Sequence, residues 1–206
     1  MHPESIEQKT RAVLAKIAGQ DFILPFYLAG GTALAIHLGH RVSVDLDFFT
    51  PKTFAPSSVR EELFHIGTFK VTSESADGTL NGILDGVSIS FFTYPYENVC
   101  PLIPFEGISL ADERDIAAMK IEAISSRGSK KDFVDLFFLL KKYHLSEVIN
   151  FFETRYGGMN YNKLHILKSL EYFDDAEGEL MPTMLQPTSW EDVKRRIQAE
   201  TNKLVT

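Results

Sequence analysis

The sequence predicts an α+β fold. Alternating apolar segments fill the first 111 residues, helical periodicity takes over at Asp112, and tight-turn dipeptides separate the strands of the first part. Residues 5 to 18 place Ile6, Val13, Leu14 and Ile17 at helical spacing, so an amphipathic helix opens the chain. "FILPFYLA" reads as a short apolar strand. Gly30 and Gly31 follow, with Thr32 as N-cap of a short helix "ALAIHL" that Gly39 ends. "VSVDLDFF" is the next strand, with Val44, Leu46, Phe48 and Phe49 as its buried residues, and "SSVREELFHIG" is a serine-capped helix. "TFKVTSES", "TLNGILD" and "VSISFFTY" form an antiparallel meander that turns at Asp77-Gly78 and Asp85-Gly86. Helices follow in "DIAAMKIEAISSR", in "KDFVDLFFLLKKYH", and near 146–155 and 160–172. The polar, acidic segment 173–189 wraps the surface as a loop before a last helix capped by Ser189. The expected organisation is an α/β core over residues 1–111 and a helical region over 112–206 that completes the site.

Composition limits the function classes. A chain of 206 residues, 44% hydrophobic and 24% charged, suffices for one compact globular unit. No apolar run approaches the roughly 18–20 residues of a membrane span, and "MHPESIEQKT" lacks a signal-peptide core, so a cytoplasmic protein without membrane attachment is expected. The single Cys100 excludes an internal disulfide and a cysteine-cluster metal site. The net charge of −7 argues against indiscriminate binding to nucleic acid, but it is uneven: residues 1–115 hold 8 Lys+Arg against 15 Asp+Glu, and residues 116–206 hold 13 against 13. Only the second half has the basic residues to face a polyanion.

Two groups of residues point to chemistry. Asp45 and Asp47 are two apart on a strand, hence on one face, where they repel each other. A hard divalent cation such as Mg²⁺ between them removes that repulsion and leaves coordination positions for phosphate oxygens. Fifteen residues upstream, Gly30-Gly31-Thr32 opens a helix, where backbone N–H groups and the helix field suit a phosphate. It is neither a Walker loop nor a Gly-x-Gly-x-x-Gly motif. In the second group, Lys120 and Arg127 lie seven apart on one helical face, and Asp132 and Asp135 share a face of the next helix. A cation facing a triphosphate and a carboxylate that orients or deprotonates a hydroxyl are what nucleotidyl transfer requires. Lys130 and Lys131 read as surface salt-bridging residues, and His37 and His40 as structural. A phosphatase using Asp45 as nucleophile would explain "DLD" but not the glycine turn.

With these residues in view, the chain resembles the AbiEii/AbiGii-type toxin nucleotidyltransferases of abortive-infection and toxin–antitoxin systems. The resemblance lies in "LAGGTALAIHLGHRVSVDLDFF", "DIAAMKIEAISSRGSKKDFVDLFFLL" and, more loosely, "YFDDAE", "MPTML" and "SWEDVK". It implies a polymerase-β-like core with a mixed sheet, a helical C-terminal region, and a metal-bound nucleoside triphosphate (NTP) between them. Gly30, Gly31 and Thr32 then match the phosphate turn, Asp45 and Asp47 the metal pair, Lys120 the conserved lysine, and Asp132, Asp135 and Leu136 the Asp-x-x-Asp-Leu motif. Arg41 and Arg127 become phosphate-side residues. The implied reaction moves a nucleoside monophosphate from an NTP to a hydroxyl on RNA, in particular a tRNA 3′ end, with an antitoxin as cognate partner. One departure stands out: where the broader superfamily places a third carboxylate on a later strand, this chain has Ser90. A nucleotide-binding module that transfers nothing, or a degenerate site serving an antitoxin partner, is the alternative.

Overall fold

The computed structural model describes residues 1–158 and 161–205. Helix α1 (Gln8–Ile17) buries Val13, Leu14 and Ile17, and Ile6 ahead of it bridges to Ser43. Of the segment before the glycine pair only Tyr27–Leu28 extends, as β1, because Asp21–Ile23 turns as a short 3-10 helix and Pro25 has no N–H for a ladder. Helix α2 (Gly30–Leu38) ends on Gly39 in the left-handed conformation (φ 60°). It starts at the glycines and not after Thr32. Ala29 stands at the N-cap, and the Thr32 hydroxyl is drawn instead to the Asp45 carbonyl and to Ser43 Oγ (2.8 Å), tying the helix to the next strand.

Strand β2 (Leu46–Thr50) alternates as its sequence demands, with Leu46, Phe48 and Thr50 buried and Asp47 and Phe49 half-buried on the opposite face. Val44 and Asp45 precede the strand, which leaves Val44 44% exposed where burial was expected. Helix α3 (Pro56–Ile66) begins on proline with no serine cap; the fixed φ of Pro56 suits the first helical position. Strands β3 (Phe69–Ser75), β4 (Thr79–Leu84) and β5 (Val87–Thr93) form the expected meander. Asp85 (φ 48°) and Gly86 (φ 79°) both adopt the left-handed turn conformation that the Asp-Gly dipeptide favours. A further hairpin, β6 (Ile103–Phe105) and β7 (Ile108–Leu110), was not expected; three-residue strands are too short to show a period. The seven strands make one mixed sheet in the order β3-β4-β5-β2-β1-β7-β6, with β2–β5 and β1–β7 parallel.

The second half is helical: α4 (Glu113–Ser126), α5 (Lys130–Leu139), α6 (Leu145–Tyr156), α7 (Lys163–Glu171), the short α8 (Asp174–Glu177) and α9 (Trp190–Val205). Residue 160, where the sequence started the fourth of these, lies outside the described residues. The Asp112 carboxylate caps α4 by accepting from the Arg114 amide, and Ser189 caps α9 by accepting from the Asp192 amide at 3.1 Å. Helix α4 is the hub, packed on α2, α5, α6 and α7. The 173–189 segment does more than wrap the surface. The Val42 amide donates to the Thr183 carbonyl (2.8 Å) and the Leu185 amide to the His40 carbonyl (2.9 Å), strapping the segment beside Arg41. Lys130, expected at the surface, is 5% exposed because this strap covers it: its ammonium donates to the Glu177 and Glu179 carbonyls and lies 5.0 Å from the centre of the Trp190 ring. No helix among the described residues is long and apolar enough to cross a membrane.

Candidate active site

A cavity of about 590 Å³ opens between the sheet and α4, and its wall contains Gly30, Gly31, Thr32, Arg41, Asp45, Asp47, Lys120, Arg127 and Asp132. Apart from Asp135, every site residue expected from sequence therefore converges on one space. The register explains the acidic side. Asp47 pairs with Ser90 and Phe49 with Phe92 across the parallel β2–β5 ladder, on the face opposite the buried, stacked Phe48 and Phe91. Burial, reinforced by the charge of Asp45, raises the pKa of Asp47, and a hydrogen bond with Ser90 only partly opposes this. The third-carboxylate position of the resemblance is thus filled by a neutral hydroxyl beside Asp47.

The glycine pair is shaped by this neighbourhood. Gly30 has φ 67°, and a Cβ there would sit 3.4 Å from Asp47 Oδ2, so the turn brings backbone and carboxylate together. A Cβ on Gly31 would collide with the Arg41 guanidinium. Arg41 cannot easily yield, since Nε (2.7 Å) and Nη2 (3.0 Å) both donate to Asp135. Gly31→Ala is accordingly expected to lower stability by about 1–3 kcal/mol through overpacking and to weaken nucleotide binding. Thermal melts and a nucleotide titration check this, and parental values for both would show that Arg41 moves aside freely.

Beneath Gly31 lies a buried ionic network. The Lys120 ammonium is held by Asp135 Oδ2 (2.6 Å) and Asp132 Oδ1 (2.8 Å), and His40 Nε2 lies 2.7 Å from Asp135 Oδ1. Ser129 Oγ (2.6 Å) and Arg127 Nε (3.3 Å) donate to Asp132 Oδ2. Burial works against the charges of Arg41, Lys120, Asp132 and Asp135, yet Arg41 and Lys120 hold the Asp135 pKa well below its ordinary value of 3.8, and Lys120 and Ser129 lower that of Asp132. Lys120 is raised in turn by Asp135 and Asp132, against a larger opposing effect of burial.

Lys120 is 4% exposed and doubly paired. Asp135 is 0% exposed and takes its donors from three basic residues, so it positions Arg41 and Lys120, whereas Asp132, also paired, lines the cavity. Sequence reasoning missed the aromatic wall Phe49, Phe92 and Tyr94, the α4 residues Met119 and Glu122, Lys131, and the strap residues Met181–Thr183, which also line the cavity. The period-2 offset of Phe49 from Asp47 and the "MPTML" match were the available signals.

A glycine turn at a helix start, the strand carboxylate Asp47 with Asp45 just before the strand, and a helix-borne lysine meet around one cavity on a mixed sheet. The family model of the AbiEii nucleotidyl transferase toxins of type IV toxin–antitoxin systems matches residues 12–203, and the chain belongs to that family. An uncharacterized Aquifex aeolicus protein is 39% identical over 199 residues, covering 92% of each chain. Among solved structures, the nucleotidyltransferase toxin MenT4 of Mycobacterium tuberculosis is similar with a TM-score of 0.58 at 17% identity, over 97% of this chain and 86% of that one. JHP933 of Helicobacter pylori gives 0.54 at 18%, over 97% and 91%. These structural likenesses are likenesses of fold. The family identifies the protein as a nucleotidyltransferase of a toxin–antitoxin system.

Proposed function

We propose that this nucleotidyltransferase is Mg²⁺-dependent and moves a nucleoside monophosphate from an NTP to a terminal hydroxyl of RNA, in particular a tRNA 3′ end, in a cytoplasmic toxin restrained by an antitoxin. The convergence of the glycine turn, the Asp45–Asp47 pair and Lys120 on one cavity carries this reading. The donor set fits the metal: two carboxylates, one of them raised in pKa by burial and by the other, are an incomplete shell of the kind Mg²⁺ fills with waters and phosphate oxygens. Bound there, Mg²⁺ would neutralise the pair and polarise the phosphates.

The chain's own residues divide the remaining work. Gly30, Gly31 and Thr32 receive the phosphates, Lys120 and Arg127 balance charge on the transferring group, and Asp132 and Asp135 hold those cations and Arg41 in place. A second cavity of about 450 Å³, lined by Lys9, Thr10, Asn81, Ser88 and Ser90, shares Glu7, Val44 and Asp45 with the first. In-line displacement needs nucleophile and leaving group on opposite sides of the phosphorus, and this second cavity, which adjoins the first at Asp45, is the entry we propose for the acceptor hydroxyl. We propose the boundary near residues 111 and 112 as the division between the lobe with the carboxylates and the lobe with Lys120.

Ser90 beside Asp47 favours the second reading, a nucleotide binder without transfer. Incubation with each labelled NTP, Mg²⁺ and total RNA decides between them. Label is expected to enter RNA with the parent protein and to fall by a hundredfold or more, about 3 kcal/mol in the barrier, with Asp45→Asn. Binding without incorporation in the parent would favour the second reading.

A further inference from the structure

Among the ionisable groups that line the cavity, Glu122 is a half-buried one that neither the phosphate machinery nor the buried network uses. On α4, Met119, Glu122, Ala123 and Ser126 fall at the i, i+3, i+4 and i+7 positions of one stripe, and all four line the cavity. The aromatic wall lines the same space, with Phe49 and Phe92 at 5.2 Å between ring centres and Tyr94 edge-on to Phe49 at 5.4 Å. Glu122 is half-buried, and its carboxylate has no hydrogen-bond partner among the described residues. Asp132 and Asp135, one helix away, are both multiply paired. Burial raises the Glu122 pKa, and the field of Arg127 only partly offsets it. A partly desolvated carboxylate facing a cavity without a donor is an acceptor site waiting for one.

Resting on the reading of this cavity as an NTP site, we propose that Glu122 reads the nucleobase: its carboxylate accepts a hydrogen bond from an exocyclic amino group of a base stacked on the Phe49–Phe92–Tyr94 wall. The glycine turn and the aspartate pair take the phosphate end, which leaves the aromatic wall and the α4 stripe for the base. Stacking on aromatic rings is indifferent to base identity. The carboxylate is not, because it attracts the N4 amino group of cytosine, the N6 amino group of adenine or the N2 amino group of guanine and repels a carbonyl oxygen in the same place. Uracil, which has O4 where cytosine has N4, is therefore disfavoured.

Three matched pairs test this: CTP against UTP, which exchanges the N4 amino group for O4 and N3 for N3–H, and ATP against purine riboside triphosphate and GTP against ITP, each of which removes only the amino group. Dissociation constants are measured by calorimetry with Mg²⁺ for the parent and for Glu122→Gln, an isosteric change at a half-exposed position. The parent is expected to bind the amino-bearing member of at least one pair tenfold or more tightly. In Glu122→Gln, whose carboxamide can also donate to a carbonyl, that ratio is expected to shrink at least fivefold with unchanged melting in the absence of ligand. Triphosphates that bind the parent with no preference within any pair, or a preference that persists unchanged in Glu122→Gln, would overturn the role of Glu122 alone. Failure of all six to bind the parent would overturn the NTP reading of the cavity and this role with it.

Discussion

Asp135→Ala is expected to lower the free energy of unfolding by about 3–5 kcal/mol, the usual result of removing one partner from a buried ion pair. In a chain of this size that is a drop of roughly 6–20 °C in the melting temperature. The cause is not lost packing. Asp135 is the shared counter-charge of Arg41 and Lys120, both nearly inaccessible to water, and its removal leaves two buried cations with Asp132 as the only other carboxylate of the network. The pH dependence follows from the same contacts. A carboxylate whose folded pKa is depressed contributes stability that is fully present above its unfolded value, here near 3.8, and is lost as pH falls through its lower folded value. Parent stability should therefore decline through this group only below about pH 4, and Asp135→Asn should flatten that part of the decline. A loss under about 1 kcal/mol for the alanine variant would mean that Lys120 and Arg41 reach solvent when released.

Much of this site was legible from spacing alone, and the reason is geometric. Period 2 on β2 sends Asp47 and Phe49 to the face opposite Phe48, and period 3.6 on α4 lines up Lys120 with Arg127, so local rules decide which residues share a surface. They do not decide what that surface meets. Asp132 and Asp135 were placed on one face of α5, but their burial and their pairing with cations depend on α2 and Arg41 arriving from the other half of the chain. Lys130 misled for the same reason: a lysine in a polar stretch reads as solvated until the strap at 177–179 closes over it. Thr32 shows the converse, a good capping residue taken from its helix by the Asp45 carbonyl.

Asp47→Asn is expected to give a variant as stable as the parent or more stable without metal, and one that Mg²⁺ and NTP no longer stabilise. The first half follows from the sign of the Asp47 shift. A carboxylate whose folded pKa is raised is better accommodated protonated, so at neutral pH its charge opposes folding. Asparagine removes that charge together with the repulsion from Asp45, and keeps the shape and the capacity to bond Ser90. The second half follows from mass action: a ligand at a hundred times its dissociation constant stabilises the parent by about 2.7 kcal/mol, roughly 5–11 °C for a chain of this size. A variant without the second carboxylate loses the anchor for the metal and most of that gain. Transfer should fall with it by a thousandfold or more, since a charge worth several kcal/mol in the transition state is gone. Melts of both proteins, with and without Mg²⁺ and each of the four triphosphates, separate this from an ordinary strand aspartate. Were Asp47 only a solvated or hydrogen-bonded residue, asparagine would leave stability unchanged or lower and the ligand shift intact, and equal shifts in parent and variant would remove the pair as a metal site.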